Sequence, residues 1–365
     1  MRIFLTVNLA WNIVNFRMGI VRALLDAGHD VSVLAPGDGA GLAAVGVRHI
    51  PLEMDAKGLN PLSGVALTAQ MTRYFRAERP DVVLSWTIKN NIFGAMAARR
   101  AGVPFIPNVS GLGTAFLSGG ALQFVAQTLY RRAFRPLETV FFQNAEDRDL
   151  FTERRLVQAK QAQLLPGSGI DLTRFSSAPM PDTAPSFLMV ARLLRDKGVV
   201  EFAEAAKNIR VRHPEATFKL LGALDADNRS AIPEALLREW EAEGIIDYLG
   251  TASDVRPHIA QAHCVVLPSY REGAPRTLIE AAAMGRPVIA TDVPGCRAVV
   301  ERGQTGLLCE VRSGESLADA CAQFIDMPPE ARAAMGRAGR ARMESHYDEK
   351  IVVQAYLDAI DRALS

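Results

Sequence analysis

Short uninterrupted apolar runs, each followed by a stretch of helical spacing, constrain this chain most. Ile3–Val7, Asp30–Leu34, Asp81–Ser85, Val103–Val109 and Thr139–Gln143 lie in the first half. Ser186–Val190, Thr217–Leu221, Asp247–Leu249, Cys264–Leu267 and Pro287–Ala290 lie in the second. Strands that are apolar on both sides need cover on both sides, as in a parallel sheet sandwiched by helices. Phe16–Ala27 has helical spacing and stops at Gly28, a natural C-cap. Asp81–Ser85 leads into a polar turn, Thr87–Asn91, and a small-residue helix follows. Val200–Arg212 is a further helix, and Asp348–Leu364 has amphipathic spacing. A chain of 365 residues is too long for one core. The fold class expected is therefore α/β, with two doubly wound domains at 1–168 and 169–345. A C-terminal helix over 346–365 is expected to pack back towards the first. The Gly-, Ser- and Pro-rich stretch Pro166–Pro185 marks the junction.

Open parallel sheets bind ligands at the carboxyl ends of their strands. The loops after Val7, Ser85, Val109, Ala191, Gly222, Pro268 and Thr291 therefore matter, and two such domains are expected to face each other across a cleft. Two loops of the second half carry charge. Arg192-x-x-x-x-Lys197-Gly198 follows Ser186–Val190. Two cations at a strand end can straddle a diphosphate, Arg as a fork and Lys as a movable point charge. After Cys264–Leu267 comes REGAPRTLIEAAAMGRPVIATDVPG, residues 271–295. Glu272 stands in a loop before a helix, and Glu280 about two turns into it. The turn between them, Gly273-Ala274-Pro275, feeds a helix N-terminus whose N–H groups and roughly half a positive charge attract an anion. Gly273, Ala274, Arg276 and Thr277 have backbone N–H groups there; Pro275 has none. The helix TLIEAAAMG is nearly all apolar, so Glu280 is expected to be buried and to need a partner. This combination suits a ligand with a central diphosphate and a hydroxyl-bearing sugar at each end.

The balance of 41 basic against 40 acidic residues, net +1, argues against bulk nucleic-acid binding. Cys264, Cys296, Cys309 and Cys321 have neither CxxC nor zinc-like spacing and read as small buried residues in a reducing compartment. Asp225-Ala226-Asp227 has the form of a metal-binding DxD. Arg192 and Lys197 already supply positive charge, so neither metal nor other cofactor is expected. The opening MRIFLTVNLAWNIV is interrupted by Asn8 and Asn12 and reads as a strand, not an export signal. No run approaches the roughly 20 apolar residues that span a bilayer. A cytoplasmic protein in contact with a membrane surface is expected.

The set Arg192, Lys197, Glu272 and Glu280 resembles the donor half of glycosyltransferase family 4, retaining transferases of the GT-B architecture with two Rossmann-like domains. Pro166–Phe175 (PGSGIDLTRF), Tyr248-Leu249-Gly250 and Leu267-Pro268-Ser269 agree with it. Asn15-Phe16-Arg17-Met18 and Asn108–Phe116 (NVSGLGTAF) are similar to a subgroup that extends sugars on polyprenyl-diphosphate carriers, as in capsule, O-antigen or protein-glycan assembly. The resemblance covers nearly the whole chain.

It implies transfer of a hexose or N-acetylhexosamine from a nucleotide sugar, by default UDP-linked, to a polyprenyl-diphosphate-linked saccharide. Arg192 and Lys197 would bind the diphosphate and stabilise the departing charge. Glu280 would hold the ribose hydroxyls, Glu272 would meet the donor hexose, and Tyr248, Leu249 and Gly250 would lie by the base. Many relatives carry a histidine near the sugar. Here Asn108-Val109-Ser110-Gly111-Leu112-Gly113 has none, so Asn108, Ser110 or the Gly111 backbone is expected on the acceptor side, with no base assigned. Arg17, expected at a helix start where a cation opposes the dipole, is a candidate for an acceptor phosphate, and Lys89 is a second acceptor-side candidate. Gly119–Arg135 is the candidate membrane contact. Ala121, Val125, Leu129 and Ala133 form one stripe and Gln123, Gln127, Arg131 and Arg135 another, with Phe124, Tyr130 and Phe134 adding bulk. Two other readings fit the same architecture: a nucleotide-sugar 2-epimerase, and a non-catalytic sugar-nucleotide-binding subunit.

Overall fold

The computed structural model describes residues 1–54, 61–112, 116, 120–225, 228 and 230–365; the side chains of Pro61, Leu62 and Ala121 are also outside the description. Met1–Gly169 and Glu349–Ser365 make up one unit, and Ile170–Asp348 the other.

The first unit is built on β1 (Arg2–Thr6), β2 (Asp30–Ala35), β3 (Arg48–Pro51), β4 (Val82–Trp86), β5 (Phe105–Val109), β6 (Val140–Phe142) and β7 (Ala162–Leu164). They pair in the order β3-β2-β1-β4-β5-β6-β7, all parallel. Alternate residues serve opposite faces. Phe4 and Val83 pack beneath the helices Pro61–Glu78 and Ile88–Ala101, with Met71 and Ala95. Ile3, Leu5, Leu84 and Trp86 pack on the other face with Leu24 and with Val352, Tyr356 and Ile360 of the helix Glu349–Leu364. Tyr356 sits between two rings, 5.6 Å from Trp86 and 4.9 Å from Phe141 by centroid. Burying such a side chain is worth several kcal/mol, so truncating it to alanine costs about 3–5 kcal/mol.

The second unit is built on β8 (Ser186–Val190), β9 (Thr217–Leu221), β10 (Asp247–Tyr248), β11 (Cys264–Leu267), β12 (Val288–Thr291) and β13 (Gly306–Cys309). They pair in parallel in the order β10-β9-β8-β11-β12-β13. Phe187 and Met189 face the helices Val199–Arg212 and Gly314–Asp326; Leu188 and Val265 face Arg276–Ala283. The four cysteines are buried and free.

Several details depart from the sequence reading. Helix already begins at Ala10; Ala10–Phe16 and Met18–Asp26 are separated by Arg17, whose φ of −135° is not helical. Thr87–Asn91 is no turn, because the helix Ile88–Ala101 starts there on a strained Thr87 with φ of 71°. Strands β3, β7 and β13 went unread: each has three or four residues, too short for a periodicity to register.

Candidate functional site

Both sheets change direction once, and most of the candidate side chains lie near the two reversals. In the second unit the reversal lies between β8 and β11. Arg192 and Lys197 follow β8; Glu272, Gly273 and Ala274 follow β11. A crevice outside the strand ends at such a reversal is where open α/β sheets take ligands.

Lys197 closes a 3-10 turn, Arg195–Lys197, and Gly198 then starts the helix Val199–Arg212 from a left-handed conformation (φ 78°). Any β-carbon on Gly198 would collide with the Pro268 carbonyl, so only glycine lets the Lys197 turn approach the β11 loop this closely. Lys197 Nζ then donates to Glu272 Oε1 at 2.6 Å, with the two side chains 24% and 13% exposed. Sequence reasoning chose the two residues separately; the fold makes them a pair. Arg192 stands apart from it. Its Nη1 donates to Asp225 Oδ2 at 3.2 Å, and its side chain is mostly exposed. Ala226 and Asp227, the rest of the DxD, lie outside the described residues.

The helix Arg276–Ala283 has Pro275 as its N-cap, a residue whose side chain has no group to cap the first turn. Thr277 Oγ1 donates to the Val190 carbonyl at 3.0 Å, tying that turn to the end of β8. Glu280 is the fifth residue of this eight-residue helix, little more than one turn in rather than two. Its expected partner is Arg276, one turn back, whose Nε donates to Glu280 Oε1 at 2.7 Å. Burial pushes the Glu280 carboxyl above the usual carboxylate range; Arg276 and, from outside the helix, Arg174 oppose that shift and lose. Arg174 belongs to PGSGIDLTRF and was not singled out. Asp254, also near Glu280, is held at about 2, chiefly by its hydrogen bonds from Arg256. Tyr248 donates its hydroxyl to the Gly222 carbonyl at 2.9 Å, and Gly250 accepts the Gly222 N–H at 2.8 Å, so the β9 and β10 ends are cross-braced. Leu249 between them is 37% exposed. Arg286 is no ligand contact: fully buried, it donates to the carbonyls of Ala178, Pro179, Ile259 and Ala260.

In the first unit the reversal lies between β1 and β4. A hollow of about 290 Å³ opens there, lined by Asn8, Met54, Thr87, Ile88, Lys89, Ser110 and Gly111. The fold thus brings together three of the acceptor-side candidates, Lys89, Ser110 and Gly111. Asn8, Met54 and Thr87 were missed. Thr87 carries a signal visible only in structure, a left-handed backbone on a β-branched residue.

Two other acceptor-side candidates are placed differently. Asn108 does not line the hollow: it is 1% exposed, donates to the Tyr356 hydroxyl at 3.0 Å and accepts from Gln143. It is the last-but-one residue of a buried strand, so its side chain alternates into the interior. Arg17 is not offered at the surface either. It is 9% exposed, donates to Ser168 Oγ at 2.6 Å and lies 5.2 Å over the Trp86 ring. The stripe expected along Gly119–Arg135 also shifts. In the helix Gly120–Phe134, Tyr130, Ala133 and Phe134 are buried, whereas Leu122, Phe124 and Val125 are 40%, 70% and 50% exposed. A strict four-residue spacing drifts by about 40° per step on a helix of 3.6 residues per turn, so the four-residue stripe spreads round the helix, and its members differ in exposure, Val125 at 50% and Ala133 at 2%. Gly113–Ala115 and Leu117–Gly119 lie outside the described residues.

Two parallel six- and seven-stranded sheets, with paired charges at one reversal and a hollow of mixed polar and apolar lining at the other, define a sugar transferase of GT-B architecture. The chain belongs to the glycosyltransferases whose two halves are described by the models "Glycosyl transferase 4-like domain", matched over residues 13–167, and "Glycosyl transferases group 1", matched over residues 173–342. It is 28% identical to N,N'-diacetylbacillosaminyl-diphospho-undecaprenol alpha-1,3-N-acetylgalactosaminyltransferase of Campylobacter jejuni, covering 97% of this chain and 96% of that protein. It is 26% identical to an Escherichia coli UDP-Gal:alpha-D-GlcNAc-diphosphoundecaprenol alpha-1,3-galactosyltransferase, over 76% of this chain and 73% of that one. Among solved structures, HepE from Anabaena in complex with UDP and glucose superposes with a TM-score of 0.82 at 18% identity, covering 99% of this chain and 100% of that one, a likeness of fold.

Proposed function

We propose that this glycosyltransferase moves a hexose or N-acetylhexosamine, with retained anomeric configuration, from a UDP-linked donor to a saccharide on polyprenyl diphosphate, in bacterial surface polysaccharide or glycan assembly. The observation that carries the donor side is the Lys197–Glu272 pair set beside the uncapped first turn of Arg276–Ala283. The names of the Campylobacter jejuni and Escherichia coli relatives support the acceptor class.

In this reading the diphosphate lies against Lys197, Arg192 and the N–H groups from Gly273 to Thr277. Glu280 accepts hydrogen bonds from the ribose hydroxyls, Tyr248–Gly250 flank the base, and Glu272 meets the hexose. The bond from the anomeric carbon to the diphosphate oxygen breaks as the acceptor oxygen bonds on the same face. The acceptor proton passes to the departing diphosphate oxygen, so no side-chain base is needed. Fixed cations and helix N–H groups stabilise the charge that develops on UDP, the work a divalent cation does elsewhere. Activity in excess chelator is accordingly expected. Lys89, Ser110, Gly111 and the other residues of the first-unit hollow are assigned to the acceptor.

Membrane contact at the inner face of the cell membrane is part of this reading. Leu122, Phe124 and Val125 are exposed on a helix whose last turn carries Arg131 and Arg132. Among the described residues no helix is long and apolar enough to cross a membrane.

The test is a thermal-shift screen of nucleotide sugars, since a ligand of the folded form raises apparent stability. It is followed by transfer to a short-chain polyprenyl-diphosphate N-acetylhexosamine. Stabilisation by a UDP-sugar together with an elongated lipid product is expected. Epimerised sugar nucleotide and free UDP without acceptor, or donor binding with no product from any acceptor, would replace the reading.

A further inference from the structure

Tyr270 and Glu201 have no part in the donor contacts just assigned, yet they bracket them. Tyr270 is two residues before Glu272, and Glu201 lies in the first turn of the helix that Gly198 opens. The Tyr270 hydroxyl donates to Glu201 Oε1 at 2.6 Å. The Tyr270 N–H donates to the Asp196 carbonyl at 2.9 Å, one residue before Lys197. Segments 195–201 and 268–272 are therefore joined at four successive places: the Gly198–Pro268 contact, the two bonds of Tyr270, and the Lys197–Glu272 pair. Arg312 lies over the Tyr270 ring, 4.7 Å from its centroid, on a left-handed backbone of φ 59°. Glu201 is 7% exposed and its Oε2 has no hydrogen-bond partner. A buried carboxylate oxygen left unsatisfied is costly, and a fold that only needed the two segments glued would do better with an apolar pair. A directional, charge-assisted bond fixes where the Tyr270 ring stops, and with it the path of the next two residues.

We infer that Tyr270 and Glu201 are positioning residues: the phenol–carboxylate bond sets Lys197 and Glu272 in register for the diphosphate. The inference rests on the donor reading above. Lys197 meets charge that is fully developed in free UDP, so UDP binding reports its placement without requiring an acceptor.

The experiment is calorimetry of UDP binding to the full chain, with Tm recorded for every variant. Tyr270→Phe, which keeps the ring and removes the donor, is expected to lose about tenfold in UDP affinity, since small misplacements of a positioned group are expensive. Glu201→Leu is expected to match it. Glu201→Gln, which keeps an acceptor oxygen, is expected to stay within about twofold of the wild type, a rescue that the size of the side chain alone does not predict. Wild-type UDP affinity in Tyr270→Phe, or equal losses in Glu201→Gln and Glu201→Leu, would overturn the inference. A Tm decrease with unaltered affinity would reduce the pair to structural glue. Should Tyr270→Phe not fold, the two Glu201 variants decide alone. Lys197→Ala is the reference: if it binds UDP like the wild type, the donor reading itself fails, and this inference with it.

Discussion

The rim of the second sheet is organised by charge and that of the first by amides and hydroxyls. At β8 and β11 the carboxylates of Glu272 and Glu280 are each answered by a cation, Lys197 and Arg276, at 2.6 and 2.7 Å. At β1, β4 and β5 the corresponding places hold Thr6, Ser85, Asn90, Asn91 and Asn108, all buried. Asn90 donates to Thr6, Ser85 donates to Asn91, and Asn91 donates to the Asn108 carbonyl, at 2.7 to 2.8 Å. Asn108 in turn reaches Tyr356 of the last helix. A neutral network has nothing to release and suits a rigid floor. A set of part-exposed ion pairs can trade partners when an anion arrives. The difference teaches that the first rim holds its shape through neutral hydrogen bonds, and the second through paired charge.

If that contrast holds, damage to the second rim appears in turnover and damage to the first appears in stability. Lys197→Ala is expected to lower transfer about 10²- to 10³-fold, the usual cost of removing one preorganised electrostatic contact. A loss below tenfold in steady-state rate would break the comparison at its strongest point. Asn91→Leu strands the Ser85 hydroxyl and the Asn108 carbonyl, for about 2–4 kcal/mol. A fall of roughly 5–15 °C in Tm by calorimetry follows, because each kcal/mol moves a unit of this size by a few degrees. Unchanged Tm would show that the network is not saturated in solution. Glu280→Gln and Arg192→Ala are each expected to lower transfer at least tenfold. Glu280 also sets a pH dependence. Its raised pKa means that the accepting carboxylate is lost as pH falls, at a pH above the usual carboxylate range. The donor KM should therefore rise on the acid side in the wild type and be flat there in Glu280→Gln, as a pH series of initial rates reads. Smallest of all, Tyr356→Phe leaves the Asn108 amide without its acceptor and costs about 1 kcal/mol by chemical denaturation, with transfer unaffected.

How much of this was legible in the sequence follows from the same contrast. Arg192, Lys197, Glu272 and Glu280 announce themselves, because charges beside buried strands and inside an apolar helix demand a reason. The parallel sheets were legible from runs such as VVL and CVVL, where both faces are apolar. The edge strands β3, β7 and β13 were not, since three or four residues carry no period. Asn108 and Asn91 were illegible for a different reason. An asparagine after a strand has the same appearance whether it faces ligand or core, and only the register with Phe141 and the arrival of Tyr356 decide it. Lys197 and Glu272, 75 positions apart, could be named but not joined, because the close approach depends on a single glycine against a carbonyl. The same holds for Glu201, which reads as an ordinary glutamate in the first turn of a helix.

The chain leaves the first unit after Gly169 and comes back to it at Glu349, so that the last helix completes a core begun by the first strand. Anyone exchanging the second unit of this scaffold for that of a relative therefore has two splice points to match. A hybrid made with one crossover would carry a foreign terminal helix against the Trp86 and Phe141 rings, and its first unit would be mismatched before any question of specificity arose.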